Sequence, residues 1–268
     1  MNTNIGHKID VCGRIIPVSD GSSVPAENGK IYEIIRVIDG RPLFFDDHMD
    51  RMEMSAATAG VTLSPDRKNI RGRIVSLCGI NGYSACNVKV VGPMDDGGVM
   101  IYVSAFSYPD ESLYDTGVDT DFIRIERPNP NAKIMRDSYK ETVTDFINSH
   151  GCYEALLVSD DGTVTEGSRS NVFFVSGDRV FTTPGDLVLR GITRGHILDA
   201  CKRAGAEVSE RILSVGDIAG LDGLFISGTS IGVLPVRRAG EYTFGTADLP
   251  LVRSIRQQYE QIVKENLL

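Results

Sequence analysis

Apolar residues alternate between strand-like and helix-like spacing along the chain, which predicts a mixed α and β protein. Residues 9–18 form an apolar run broken by a Cys-Gly-Arg turn, and residues 31–38 form a second run ending at an Asp-Gly pair, so both predict β-hairpins. Helical spacing follows over residues 49–59, after Asp46 and Asp47, which stand where helices are capped. Helices are also predicted at 65–78, 138–148 and 197–204, and strands at 88–91, 99–106, 120–125, 155–158, 171–175 and 179–182.

A polar, turn-rich stretch at residues 107–117 divides the chain into two predicted domains. We place an N-terminal α+β domain at residues 1–112, a connector at 113–119 and a C-terminal domain at 120–268. In the C-terminal domain, 207–212 and 223–226 are predicted to be buried strands, and an amphipathic helix at 251–267 is predicted to close the chain.

Composition and charge fit a folded protein that handles small molecules. Of the 268 residues, 41% are hydrophobic and 24% charged, as in ordinary globular chains, and the formal net charge is −8. An acidic chain is poorly suited to neutralising the phosphates of a nucleic acid or of an anionic membrane. No stretch approaches the roughly 20 apolar residues of a membrane span, so we expect a cytoplasmic protein.

The cysteines and histidines suggest neither a disulfide framework nor a metal site. The five cysteines are widely spaced and form no CxxC pair, so we expect reduced and mostly buried thiols. The four histidines share no ligand-like spacing with cysteines or carboxylates, and we expect each to be a surface or packing residue.

Two small polar turns could bind an anion. Residues 191–193, Gly-Ile-Thr, precede a predicted helix, whose first backbone N–H groups and dipole favour a phosphate. Thr193 could equally be a plain N-cap. Residues 228–230, Gly-Thr-Ser, follow a predicted buried strand and could form a second anion site or an ordinary turn.

The order of motifs in the second half resembles that of the fold type IV pyridoxal-phosphate enzymes. The segments are NAKIMRDSY, EALLVSDDGTVTEGSRSNVFF, VFTTPGDLVLRGITRGHIL and FISGTSIGVLPV. Residues 47–52, DHMDRM, also resemble the family's HxxR segment, and the resemblance extends over about residues 32–236. The family contains branched-chain and D-amino-acid aminotransferases and aminodeoxychorismate lyase.

The resemblance implies roles for individual residues around the cofactor pyridoxal 5'-phosphate. Lys133 matches the Schiff-base lysine, whereas Lys89 and Lys140 do not. Glu166 matches the acid that pairs with the pyridine nitrogen, and a carboxylate there keeps that nitrogen protonated. Asn171 is either a supporting polar group or simply the start of its strand. The residues that match the phosphate site are Arg51, Ile192, Thr193 and Thr229.

The substrate side departs from the family pattern. Tyr32 and Glu33 match an aromatic-Glu pair, and strand alternation would direct Tyr32 towards the substrate and Glu33 to the opposite face. The family's Tyr-x-Arg carboxylate clamp is replaced by residues 102–104, Tyr-Val-Ser, which lack the guanidinium. The groups left open as substitutes are the backbone N–H groups of Thr229 and Ser230 and the side chains of Arg14, Arg41, Arg124 and Arg136.

The resemblance implies a homodimeric aminotransferase that moves an amino group between a small amino acid, branched-chain or D-configured, and a 2-oxo acid. One alternative is an aminodeoxychorismate lyase that releases pyruvate and 4-aminobenzoate. Lyase members place a threonine where this chain has Glu33 and Ile34, which favours transamination. A second alternative, motivated by the missing clamp, is a catalytically degenerate paralogue that binds the cofactor.

The fold implied by the resemblance is α+β. It consists of a small N-terminal α+β domain and a larger C-terminal domain with a β-barrel-like sheet and flanking helices, with the cofactor between them.

Overall fold

The computed structural model describes residues 4–18, 26–127 and 129–268, and the chain divides into two compact units. The first unit contains Met1–Ser107, Ala132–Asp137 and Asn266–Leu268, and the second contains Tyr108–Asn131 and Ser138–Glu265. Lys133 therefore belongs to the first unit, although it lies close to the middle of the sequence, beyond the predicted connector.

Both units contain strands and helices. The strands of the first unit are β1 (Lys8–Val11), β2 (Arg14–Pro17), β3 (Ile31–Ile38), β4 (Arg41–Pro42), β5 (Cys86–Gly92) and β6 (Met100–Ser104). Those of the second are β7 (Val118–Arg124), β8 (Glu154–Val158), β9 (Val164–Gly167), β10 (Asn171–Ser176), β11 (Arg179–Thr182), β12 (Glu207–Glu210), β13 (Gly223–Gly228), β14 (Gly232–Ala239) and β15 (Tyr242–Thr243). The helices are α1 (Phe45–Thr58), α2 (Arg67–Ile80), α3 (Glu111–Thr116), α4 (Asp137–His150), α5 (Ile192–Arg203) and α6 (Pro250–Leu267). None of the helices in the described ranges combines the length and apolar character needed to cross a bilayer.

The first unit is built on an antiparallel sheet with the strand order β2-β1-β6-β5-β3-β4. Burial alternates along β3, and its buried residues, among them Ile31, Ile35 and Val37, pack in one core with apolar residues of α1 and α2. A smaller cluster of Ile9, Val91, Met100 and Tyr102 lies on the sheet as well. Residues of the core and of this smaller cluster alternate along β5 and β6, so the two clusters occupy opposite faces of the sheet.

The second unit contains a mixed sheet with the strand order β12-β11-β10-β13-β14-β7-β8-β9, to which β15 adds at β14. Because β9 also lies beside β10, the sheet curls towards a half-barrel. Phe173 of β10 and Phe225 of β13 are cross-strand partners, and their stacked rings have centroids 4.9 Å apart. The curled sheet and the helices of this unit agree with the expected α+β architecture.

Two sequence expectations about individual elements are wrong. Helix α1 begins at Phe45, so Asp46 and Asp47 lie in its first turn rather than at its cap; the cap residue is Phe44, at φ 51°. Strand β12 is largely exposed instead of buried, because it stands at the edge of the sheet and, among the described strands, pairs with β11 only. The five cysteines are unbridged; Cys12 is half-buried and the others are buried.

Candidate active site

Lys133 is held at the start of β3 by backbone hydrogen bonds. The Tyr32 N–H donates to the Lys133 carbonyl oxygen at 3.1 Å, and the Met135 N–H donates to the Lys30 carbonyl oxygen at 2.9 Å. The Lys133 N–H donates to the Ser55 hydroxyl oxygen on α1 at 3.2 Å. The backbone of Lys133 is thus fixed between a strand end and a helix, which limits where its amine can reach.

The amine of Lys133 lies over the ring of Tyr32. Lys133 Nζ is 4.8 Å from the ring centroid, within the range of a cation–π contact. Both side chains are half-buried. The structure therefore brings together two of the predicted site residues.

Glu33 lies on the opposite face of β3 from Tyr32, as the alternation predicted, and forms a buried ionic network. Arg51 Nε donates to Glu33 Oε1 at 2.7 Å, and Arg51 Nη2 donates to Glu33 Oε2 at 2.5 Å. His48 Nδ1 lies 2.7 Å from Glu33 Oε2. Arg51, predicted at the phosphate, is thus bound through two nitrogens to a carboxylate of its own chain.

The protonation states in this network follow from burial and charge. Burial favours a raised pKa for Glu33, but the charge of Arg51 and the hydrogen bonds from Arg51 and His48 outweigh it and lower the pKa to about 2. Burial lowers the pKa of His48, against the opposing effect of Glu33. A neutral His48 beside an ionised carboxylate must carry its proton on Nδ1 and donate it to Glu33. His48 is therefore buried, as expected for a packing residue, but it also takes part in an ionic network that the sequence did not indicate.

Glu166 is a buried carboxylate with several donors in the second unit. The Leu189 N–H donates to Glu166 Oε2 at 3.2 Å, and Asn171 Nδ2 donates to the same oxygen at 3.4 Å. Arg127 Nε lies 3.0 Å from Glu166 Oε1. Asn171 begins β10 and also binds the Leu189 carbonyl oxygen at 2.9 Å, so it is both the start of a strand and a polar neighbour of Glu166.

Arg127 and Tyr139 extend this network. Arg127 Nη2 and Tyr139 Oη both donate to the Ser168 carbonyl oxygen, at 2.9 and 3.1 Å. Burial raises the pKa of Tyr139 to about 12, so its hydroxyl keeps the proton that it donates. The orientation of the Glu166 carboxylate is thus set by backbone, amide and guanidinium groups together.

The first turn of α5 presents backbone N–H groups. The helix begins at Ile192 with Gly191 as the cap residue, and no side chain in the described parts of the chain caps it. Thr193 is inside the helix and buried, so its alternative role as an N-cap is wrong. A Cβ at Gly191 would lie 2.2 Å from Asn171 Oδ1, so glycine is required for this close approach. The arrangement suits an anion.

Thr229 and Ser230 form the turn between β13 and β14, which is closed by a hydrogen bond from the Ile231 N–H to the Gly228 carbonyl oxygen at 3.1 Å. Before the turn, the buried Ser227 is the register partner of Asn171. None of the described residues offers the Ser227 hydroxyl a hydrogen-bond partner. A buried hydroxyl in this state is uncommon and fits a site that receives a polar ligand.

The residues present in each unit fit pyridoxal phosphate. The first unit supplies a positioned amine, Lys133, for an aldehyde. The second contains a buried carboxylate, Glu166, of the kind that can pair with a protonated ring nitrogen, and helix α5, whose first turn no described side chain caps and which has the chemistry to receive a phosphate.

Sequence reasoning missed the partners of the predicted residues. His48 was seen only as part of a motif, and Arg127 was not singled out, although both touch a predicted carboxylate. Arg127 lies 39 positions from Glu166 in the chain, so no local spacing could have indicated the pair.

Comparison with known proteins agrees with this chemistry. The profile of the family described as amino-transferase class IV matches residues 30–239. D-alanine aminotransferase of Bacillus licheniformis is 26% identical over 84% of this chain and 84% of its own. A probable branched-chain-amino-acid aminotransferase of Thermotoga maritima is 28% identical over 88% of this chain and 86% of its own.

A solved structure shows the same fold. The T.th. branched-chain amino acid aminotransferase, solved with pyridoxamine 5'-phosphate, matches with a TM-score of 0.84, covering 97% of this chain and 95% of that chain at 21% identity. The expected α+β fold class is therefore confirmed. The family profile spans most of the sequence. The chain thus belongs to the class IV aminotransferases, which are pyridoxal-phosphate-dependent enzymes.

Proposed function

We propose that this protein transfers an amino group between a small amino acid and a 2-oxo acid, with Lys133 and Glu166 as its principal catalytic groups. The observation that carries the proposal is a lysine amine, fixed by backbone and ring contacts, in a chain that also buries a multiply hydrogen-bonded carboxylate. The named relatives, one acting on D-alanine and one of the branched-chain type, support a small amino acid as substrate.

Lys133 is the group proposed to move the proton. When bound, pyridoxal phosphate supplies an aldehyde that takes up the substrate amine and a ring that withdraws electrons from the substrate Cα–H bond. The Lys133 amine, once it has released its own proton, accepts the proton from Cα and returns it on the product side. Its fixed backbone limits the amine to a small volume, which favours one geometry for that transfer.

Glu166 is proposed to hold a proton on the ring nitrogen. The carboxylate oxygens accept from the Leu189 N–H and Asn171, and Arg127 stands at the other oxygen, so the carboxylate cannot rotate without losing contacts. Arg127 and Asn171 are positioning residues in this proposal. Their contacts keep one carboxylate edge directed at a fixed place.

The phosphate is proposed to bind at backbone N–H groups of Ile192 and Thr193 and at the Thr229 hydroxyl. Arg51, whose guanidinium is oriented by Glu33, contributes positive charge. Tyr32 and Ser230 are proposed to contact the substrate. We further propose that the protein is a homodimer, which sedimentation would test; its cytoplasmic location stays a prediction.

An absorbance and turnover experiment tests the function. Purified protein with pyridoxal phosphate should show an absorbance band of bound cofactor that an amino donor removes and a 2-oxo acid restores. Lys133→Ala should abolish both changes, whereas Lys140→Ala, at an exposed lysine of α4, should not. A panel of L- and D-amino acids, including alanine and the branched-chain acids, identifies the donor.

The outcomes separate the three candidate functions. Pyruvate released from aminodeoxychorismate without any 2-oxo acid would favour the lyase. Bound cofactor without turnover of either enantiomer would favour the degenerate paralogue. Unchanged spectra in the presence of every donor would contradict transamination.

A further inference from the structure

A buried ion pair lies on the face of the first-unit sheet that carries Tyr32. The Lys89 cluster consists of Lys89, Glu27, Tyr102 and Tyr32. Lys89 Nζ donates to Glu27 Oε2, and Tyr102 Oη donates to Glu27 Oε1 at 2.5 Å. The Lys89 side chain is 3% exposed and that of Glu27 is 15% exposed. One carboxylate is therefore bound at both oxygens by two different strands.

The strand register explains why these groups meet. Lys89 of β5 lies directly opposite Tyr102 of β6 and opposite Ile34 of β3. Directly opposed residues project from the same face, and Tyr32, two positions before Ile34, shares it. The ring of Tyr32 lies 4.8 Å from Lys89 Nζ and 4.8 Å from Lys133 Nζ. The distance between Lys89 Nζ and Lys133 Nζ is therefore no greater than the sum of these two distances.

This is the face on which the resemblance places a carboxylate clamp. Ser104, in place of the clamp arginine, lies on the same face as Tyr102 and opposite Asn87. Among the arginines considered as substitutes, Arg14 and Arg41 are in β2 and β4, the two edge strands of this sheet. Arg136 follows Lys133 in the segment Ala132–Asp137, and Arg124 is in β7 of the second unit. The buried cation beside Tyr102 is Lys89, on the neighbouring strand.

We propose that Lys89 and Tyr102 bind a carboxylate of the substrate, and that Glu27 is an internal carboxylate that occupies this subsite until a substrate displaces it. The assignment deepens the proposed function, on which it rests for the identity of the substrate. A buried ammonium without an anion is costly, so the subsite requires a carboxylate from the chain or from a ligand.

The attachment of Glu27 permits the exchange. Glu27 lies outside the strands, in a turn closed by a hydrogen bond from the Lys30 N–H to its carbonyl oxygen at 2.9 Å, with Gly29 at φ +79°. Its side chain can leave the sheet face without breaking a strand pair. Lys89 and Tyr102, by contrast, are held in adjacent paired strands, so the donors stay in place for the incoming carboxylate.

Kinetics of the holoenzyme test the subsite. Lys89→Met should raise KM for carboxylate substrates on the order of 10- to 100-fold, the effect of losing one charge-assisted hydrogen bond. The KM for an amine donor that lacks a carboxylate should change by less than about twofold. The matched control is Lys68→Met, at an exposed lysine of α2. Comparing alanine with glutamate shows which substrate carboxylate the subsite binds. If Lys89→Met raises KM for both amino acids, the subsite binds the α-carboxylate; if it raises KM for glutamate alone, the subsite binds the side-chain carboxylate.

A second measurement does not depend on catalysis. In Glu27→Ala, added propionate should raise the midpoint of thermal unfolding, because the free carboxylate replaces the missing side chain. The wild-type protein should respond less at the same propionate concentration, because Glu27 competes for Lys89 and Tyr102. If propionate raises the unfolding midpoint of Glu27→Ala but the wild-type protein shows no transaminase activity, the subsite is supported and the proposed function is rejected. No rescue, together with equal changes in KM for acids and for the amine in Lys89→Met, would overturn the proposal and leave a purely structural ion pair.

Discussion

Tyr32 and Lys133, which are 101 positions apart in the sequence, are joined by a backbone hydrogen bond of 3.1 Å and by an amine–ring contact of 4.8 Å. The first contact fixes the lysine backbone at the end of β3, and the second directs its side chain along the face of the sheet. A strand residue and a loop residue therefore together position the amine that is proposed to react.

Removal of the Tyr32 ring should weaken the contacts that position Lys133. Tyr32→Ala should lower the free energy of unfolding by about 2 kcal/mol, because two ammonium groups lose their aromatic contact. Tyr32→Phe keeps the ring and should retain most of that stability. Denaturant titration of both variants measures the difference, and equal losses would show that the ring contacts contribute nothing.

The Glu33–Arg51 pair should be a strong determinant of stability. Glu33→Gln leaves Arg51 buried without its counter-ion, so we expect a loss of about 3–5 kcal/mol in unfolding free energy at neutral pH. Because the Glu33 pKa is lowered to about 2, the contribution should be lost only as the pH falls from about 4.5 to 2.

An exposed ion pair provides the control for Glu33→Gln. Asp46→Asn breaks the pair between Asp46 and Arg71 on the surface, where solvent screens the charges, and should cost less than about 1 kcal/mol. Losses of the same size in both variants would contradict the role assigned to burial.

His48 should make the protein less stable in mild acid. Burial lowers its pKa below the usual 6.5, so between its folded-state pKa and 6.5 the unfolded chain binds a proton that the native chain does not. Unfolding free energy should therefore rise with pH in that range, by at most about 1.4 kcal/mol per pH unit for this one proton. His48→Gln should flatten the slope in urea denaturation series, and an unchanged slope would assign it to other groups.

Loss of charge at Glu166 should slow catalysis more than binding. Glu166→Gln keeps the shape and the contacts with Leu189 and Asn171 but cannot hold a proton on the ring nitrogen, so kcat should fall on the order of 100-fold. Arg127→Gln removes only a positioning contact and should have a smaller effect. Steady-state kinetics, with bound cofactor verified by absorbance, distinguish the two variants. An equal fall in kcat in both would mean that Arg127 matters as much for catalysis as Glu166.

The stacked pair in the second unit should carry a large share of its packing energy. Phe173→Ala should lower the free energy of unfolding by about 3–5 kcal/mol, because Phe173 is fully buried against Phe225. Phe173→Leu should cost less, since much of the volume is kept. Thermal or denaturant unfolding measures both, and a loss below about 1 kcal/mol for alanine would contradict tight packing at this point.

Local patterns were sufficient where neighbours in the sequence are neighbours in the fold. The β1–β2 hairpin, the β3 strand with its Asp-Gly turn and the amphipathic α6 follow from periodicity, because strands and helices repeat their faces every few residues. The motif order was likewise enough to indicate the family and the cofactor. The cap of α1 was missed because Phe44 adopts a left-handed conformation that its residue type does not favour.

The partners of the buried charges could not be obtained from the chain in this way. Glu33 meets Arg51, Arg127 meets Glu166 and Lys89 meets Glu27 through strand register and helix packing, which bring residues together across tens of positions. A charge in water needs no particular partner, whereas a buried charge must have one, and folding selects it. Composition and motifs thus specify which chemical groups the protein carries, while the packed sheets specify which of these groups bind one another.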